Sequence, residues 1–198
     1  MALILDEPRT ASCIALTNSS LYCINKNNLV DIIKKKPEFA VNLISRFRDK
    51  LSSINNKLIS KHREEPGIAS FQDSGGEILS NNTLRFKKNA IIFRESDKGK
   101  SGYIIKSGQV KLVRMNRVQK KETILAVLSV GEMFGELALL GDNTRIATAL
   151  SDDDDTELIS FDEKNFYHMI YNDIDFCLKI MKICCQRIKE MNDKIGGC

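Results

Sequence analysis

Glu136 and Arg145 are the two residues of this 198-residue chain whose types and spacing best suit ligand-binding chemistry. They lie nine positions apart around a short Gly-led stretch of apolar and small residues. That stretch reads Gly131-Glu132-Met133-Phe134-Gly135-Glu136-Leu137-Ala138-Leu139-Leu140, with Arg145-Ile146-Ala147-Thr148 after it. A turn of this kind presents backbone N–H groups at a helix N-terminus, which is a ready anion site. Arg145 adds a planar fork matched to a phosphate, and Glu136 can accept from a sugar hydroxyl. One pocket holding a phosphate and a ribose hydroxyl reads as a nucleotide site.

Other chemistry has little support. No nucleophile–base pair, metal set or paired-acid constellation stands out, so an enzyme is the weakest reading. The six cysteines form no C-x-x-C pair, and His62 and His168 are the only histidines, which argues against zinc. Cys13 and Cys23 sit in apolar, strand-like runs and Cys184-Cys185 in a helical pattern, so reduced, packed thiols in a cytosolic protein are expected. Asp152 to Asp155 lacks the spaced ligands and glycine of a calcium loop and reads as a solvated hairpin end. The net charge of +4 is mild. Its one cluster, Lys34-Lys35-Lys36, reads as a solvated loop before a helix rather than a nucleic-acid patch. No run approaches the roughly 20 apolar residues of a membrane span, and no secretory signal is visible in residues 1–16.

The elements that must position Glu136 and Arg145 are short strands from Thr83 to Phe161, separated by turn signals, as in an all-β sandwich or barrel. Ser107-Gly108 predicts a hairpin turn between Tyr103-Ile104-Ile105 and Val110-Lys111-Leu112-Val113. After Phe161 the pattern becomes helical. Asp162 is the expected N-cap, and a longer helix runs from about Asp173 to Lys194, stopped by Gly196-Gly197. Ile174, Leu178, Met181, Cys185, Ile188 and Ile195 give it an apolar seam in steps of four and three, broken by Asn192. Such a seam suits an intramolecular core face or a homodimer equally.

Part of this pattern occurs twice. Met1 to Ser12 lies over Leu137 to Thr148 without a gap. After a one-residue shift, Leu29 meets Phe166, Phe39 meets Phe176, Ile44 meets Met181 and Leu51 meets Ile188. Pro37 opens the helix of the first copy, whose seam is Ala40, Ile44, Phe47, Leu51, Ile54 and Leu58. The chain is thus expected to begin inside the first cassette. Residues 1–65 are expected to be the C-terminal part of one domain, contributing a hairpin and a long helix. Residues 66–82, with Pro66-Gly67 and Ser74-Gly75-Gly76, read as a linker, and 83–198 as a complete domain.

The second copy resembles a cyclic nucleotide-binding domain over nearly its whole length. Ile92-Phe93-Arg94-Glu95-Ser96-Asp97 through Gly99, Tyr103-Ile104-Ile105 and Ser107-Gly108-Gln109-Val110 are similar to the family's I-F-x-E-G-D-x-G, Y-x-I and x-G-x-V runs. Leu128 to Glu136 is similar to its L-x-x-G-x-x-F-G-E. The resemblance implies a mainly β fold with flanking α, an eight-stranded jelly-roll barrel with a C-terminal helix that closes over the base. It implies a ligand site at Phe134, Gly135, Glu136, Leu137 and Ala138 with Arg145, Ile146 and Ala147. Glu136 would hold the ribose 2′-hydroxyl and Arg145 the cyclic phosphate. Backbone N–H groups around Gly135 and Ala138 would complete the anion nest, with Leu137 and Leu139 in support.

Two positions depart from the pattern. Ser96 replaces the family glycine, and Ile146 stands where a small residue or a hydroxyl is usual. A missing hydroxyl removes a bond worth about 0.5–1.5 kcal/mol net, so cyclic AMP is expected over cyclic GMP. Thr10 offers that hydroxyl in the first copy and Arg9 the guanidinium, but without an acidic partner or barrel no binding is expected there. Three roles stay open: a cyclic nucleotide sensor acting through its last helix on an effector outside the chain, a degenerate non-binding scaffold or dimerisation domain, and a fragment of a catabolite activator-like transcription regulator.

Overall fold

The computed structural model describes residues 1–9, 11–61, 77–80, 82–116 and 121–196. Nine strands occur among them: β1 Glu77–Ser80, β2 Thr83–Phe86, β3 Ile91–Phe93, β4 Ser101–Ser107, β5 Val110–Asn116, β6 Lys121–Leu128, β7 Met133–Phe134, β8 Thr148–Ser151 and β9 Thr156–Asp162. They pair antiparallel into two sheets, ordered β1-β2-β9-β4-β7 and β3-β8-β5-β6. Phe86, Ile105, Phe134 and Leu158 from the first sheet meet Val110, Leu128 and Ala149 from the second in one core. This is the expected β roll. Gly108, at φ 79°, makes the turn between β4 and β5 that Ser107-Gly108 predicts.

Five helices complete the described residues: α1 Ala2–Leu5, α2 Lys26–Lys35, α3 Pro37–Lys61, α4 Glu163–Asn172 and α5 Ile174–Gly196. The side chain of Asp162 caps α4 by accepting from the Asn165 N–H at 2.8 Å, as its type suggests. Pro37 stands at the first position of α3, where its missing N–H costs nothing.

The helices form a second core, and the cassette belongs to it. Leu137, Leu139 and Leu140 pack with Ile44 and Leu51 of α3, Phe166 of α4, and Met181 and Ile188 of α5. Each fully buried Leu or Ile contributes about 1.5–3 kcal/mol, so these contacts fix the helices over residues 136–140. Ala40, Ile44, Leu51 and Ile54 of the α3 seam and Met181, Cys185 and Ile188 of the α5 seam are buried within the molecule. A homodimer through the same positions would have to displace that packing.

Three expectations are corrected. The segment read as linker, 66–82, contains β1, whose register Glu77↔Arg85 and Ile78↔Leu84 extends the first sheet. Backbone pairing there outweighs the local Gly/Ser composition. The rest of that segment before β1, including Pro66-Gly67 and Ser74-Gly75-Gly76, lies outside the described residues, as do Thr10, Gly197 and Cys198. The hairpin expected in the first copy does not form: residues 11–24 contain no strand, and Cys13 and Cys23 are exposed. A two-stranded hairpin is marginal alone, and no described strand lies beside this one. Cys177, Cys184 and Cys185 are buried, and burial pushes the thiols of Cys177 and Cys185 up to about 11.

Candidate functional site

The cassette begins where β7 ends. Gly135 takes φ 75°, a left-handed conformation that glycine adopts without strain, and Glu136–Leu140 then form a single 3-10 turn. The turn is too short for a substantial dipole, so the positive charge of the site falls to Arg145. That residue is fixed by its own backbone. Its N–H donates to the Asp97 carbonyl at 3.0 Å, and its carbonyl accepts from the Ser96 N–H at 2.9 Å.

The Arg145 guanidinium is buried, the residue being only 4% exposed. Nη1 donates to the Gly135 carbonyl at 2.6 Å, and Cζ sits 4.1 Å from the centroid of the Phe93 ring, an arrangement favoured by the ring quadrupole. Its other flank lies against Gly99, where any Cβ would collide with Nε and Cζ. Among the described residues no carboxylate pairs with Arg145, and its Nε has no partner. Burial pulls its pKa down, with Tyr103 and then Glu136 acting in the opposite sense. A buried guanidinium without a counter-ion is costly, and an anion arriving here would relieve that cost.

Glu136 is fully buried. One oxygen, Oε1, accepts from Arg187 Nη1 at 3.1 Å, while Oε2 has no partner. Burial pushes this carboxyl above its ordinary value, and the Arg187 guanidinium opposes the rise. Arg187 comes from α5 and also donates through Nη2 to the Met133 carbonyl at 2.6 Å. Glu136 and Arg145 thus do not pair with each other. Each keeps an unsatisfied polar atom, and both residues line the same cavity.

That cavity has a free volume of about 60 Å³, room for a few waters. Gly135, Glu136, Leu137, Ala138, Arg145, Ile146 and Ala147 all line it, so the structure brings together seven of the eight residues expected from sequence. Phe134 does not. It is fully buried in the barrel core beside Tyr103 and Phe93, with ring centroids 5.4 and 5.9 Å away. The nest is also partly spent, because the Ala138 N–H points to the Gly135 carbonyl at 3.3 Å.

Sequence reasoning missed the residues that close the cavity. Arg187, Glu190 and Met191 of α5 and Leu51 and Asn55 of α3 form its outer wall. The available signal for Arg187 is its place between Cys184 and Met191, at helical spacing on a buried face. Helix α3 is itself tied along the cassette. Ser45 donates to the Leu140 carbonyl at 3.2 Å, Arg48 to Asp142 at 2.6 Å, and Asn55 to the Ile146 carbonyl at 3.2 Å.

Residues 83–173 match the family model of the cyclic nucleotide-binding domain. A cGMP-dependent protein kinase of Caenorhabditis briggsae is 28% identical over 177 residues, covering 88% of this chain and 22% of the kinase. A cAMP-dependent protein kinase regulatory subunit of Schizosaccharomyces pombe is 23% identical over 176 residues, covering 88% of this chain and 38% of that subunit. The chain thus spans about a fifth to two-fifths of the length of these relatives. A c-di-GMP-responsive global regulator of Xanthomonas campestris shares the fold, with a TM-score of 0.52 at 19% identity over 58% of this chain and 57% of that one. No described helix is long and apolar enough to cross a membrane.

Proposed function

With residues 83–173 belonging to the cyclic nucleotide-binding domain family, we propose that this chain is a regulatory module, not a catalyst, that takes up a purine 3′,5′-cyclic nucleotide between the cassette and helices α3 and α5. The observation that carries this reading is the buried Arg145, stacked on Phe93 with no carboxylate in ion-pair contact among the described residues. A cyclic phosphate supplies the missing charge. The ribose 2′-hydroxyl then goes to Glu136, whose Oε2 is unsatisfied. Cyclic AMP is favoured over cyclic GMP because Ile146 offers no hydroxyl, a difference of about 0.5–1.5 kcal/mol.

With α5 in its present place the free space of the cavity is small beside a nucleotide, and in this proposal binding displaces that helix. Arg187 links the helix to Glu136, which makes α5 the natural carrier of the signal to an effector outside this chain. Because the described seam positions are largely internal, no homodimer through them is part of the proposal. Calorimetric titration of the full chain with cyclic AMP and cyclic GMP tests the reading. Binding of both, tighter for cyclic AMP, is expected; no heat and no thermal protection at millimolar ligand would overturn it.

The small cavity and the existing Arg187–Glu136 pair favour a second reading, a scaffold domain that keeps the fold without a ligand. Under it, Arg145→Ala leaves the thermal response to cyclic AMP unchanged because no response exists.

A further inference from the structure

We infer that Asn55 of α3 reads the base of the ligand, its Oδ1 accepting a hydrogen bond from an exocyclic amino group of the purine. The inference rests on the cyclic nucleotide reading above and adds to it a contact from the N-terminal copy.

Asn55 is 2% exposed and lines the same cavity as Arg145 and Ile146. Its Nδ2 donates to the Ile146 carbonyl at 3.2 Å, and its Oδ1 has no partner. The carbonyl fixes the orientation of the amide, because the flipped form would set Oδ1 against another acceptor. The amide oxygen left over is therefore an acceptor, buried and unsatisfied, on a residue that lines the cavity. Buried acceptors are rarely left in that state.

The donors on a cyclic purine nucleotide are few. The ionised cyclic phosphate only accepts, and it is drawn to Arg145. The ribose has one free hydroxyl, which Glu136 takes. The remaining N–H groups belong to the base, and the exocyclic amine is the donor that projects beyond the ring. Asn55 is held in place for this contact. One turn earlier Leu51 is packed in the helical core, and the adjacent Asn56 accepts from Arg114 at 2.8 Å. In the register of the internal repeat the counterpart of Asn55 is Asn192, which is exposed on α5. The two copies therefore use the same residue type differently, and only Asn55 faces the site.

Two ligand pairs isolate the contact. Cyclic AMP differs from purine riboside 3′,5′-cyclic monophosphate by the 6-amino group, and cyclic GMP differs from cyclic IMP by the 2-amino group. Titrated into the unaltered chain, one pair is expected to lose about two- to tenfold in affinity with the amine. Asn55→Leu and Asn55→Ala should bind both members of that pair alike. The pair that discriminates identifies which amine Asn55 meets. Equal affinities within both pairs in the unaltered chain would overturn the inference, whether or not the variants fold. So would discrimination that survives both substitutions. Failure of every cyclic nucleotide to bind the unaltered chain would instead overturn the nucleotide reading, and this contact with it.

Discussion

Arg187 of α5 donates to Oε1 of Glu136 at 3.1 Å, which fastens the last helix to the cassette through a carboxylate that is fully buried. The second arm of the same guanidinium holds the carbonyl of Met133, the first residue of β7. A ribose hydroxyl at Glu136 would therefore arrive at a group already engaged by the last helix. Under the proposed reading the hydroxyl takes the free Oε2 while Arg187 holds Oε1, so the shared carboxylate would link occupancy of the pocket to the position of α5.

The pair should behave as a coupled unit. Arg187→Met leaves Glu136 buried without its cation and is expected to cost about 3 kcal/mol of stability, the range seen when one partner of a buried pair is removed. Adding Glu136→Gln removes the stranded charge and should restore a large part of that loss. Urea unfolding of the wild type, both single variants and the double variant gives the coupling energy directly. Strict additivity would show that the two groups do not interact.

Glu136 also sets a pH dependence. Burial raises its pKa above the ordinary 4.5, so the folded chain keeps this proton to higher pH than the unfolded chain does. The stability this contributes is complete below pH 4.5 and is lost as pH rises through the folded value. The stability of the wild type minus that of Glu136→Gln should therefore fall as pH is raised from acid to neutral. Other carboxylates, including the exposed Asp142 held low chiefly by Thr144, cancel in the difference. A flat difference would mean that Glu136 titrates normally.

The reach of the sequence follows from how local each feature is. Glu136 and Arg145 lie in one short segment whose spacing carries the turn, and seven of the eight expected residues line the cavity. The Gly108 turn and the Asp162 cap depend on immediate neighbours and were equally legible. Arg187 and Asn55 were not, because their partners lie 51 and 91 positions away. Helical periodicity assigns a residue to a face but does not say which loop that face meets. The same limit explains β1 and the missing first hairpin. Local composition favoured the opposite assignment in both places, and the presence or absence of a neighbouring strand decided the outcome.

Ser96 is the departure from the family pattern with the clearest structural cost. It sits at φ 72°, where a Cβ crowds the backbone, and its N–H holds the Arg145 carbonyl at 2.9 Å. Ser96→Gly should relieve strain of about 1 kcal/mol, partly offset by the greater freedom of glycine in the unfolded chain. A modest rise in melting temperature without loss of ligand affinity is expected. A fall in melting temperature would show that the serine side chain contributes something the backbone geometry does not reveal.

Gly99 offers the sharpest separation of binding from folding. It lies in the turn before β4, its N–H bonded to the Asn143 carbonyl at 2.8 Å, and the Arg145 guanidinium rests against its Cα face. An added methyl would collide with Nε and Cζ, which are pinned between this turn and the Phe93 ring. The barrel core of Ile105, Phe134 and Leu158 is not touched by the change. Gly99→Ala is therefore expected to push the guanidinium off Phe93 and out of phosphate reach. Cyclic nucleotide affinity should drop by about tenfold or more, since a charge-assisted bond contributes roughly 1.5–3 kcal/mol. Overpacking should cost about 1–3 kcal/mol of stability, a loss that unfolding measured without ligand would quantify separately. Unchanged affinity in a folded Gly99→Ala chain would show that Arg145 does not hold the phosphate.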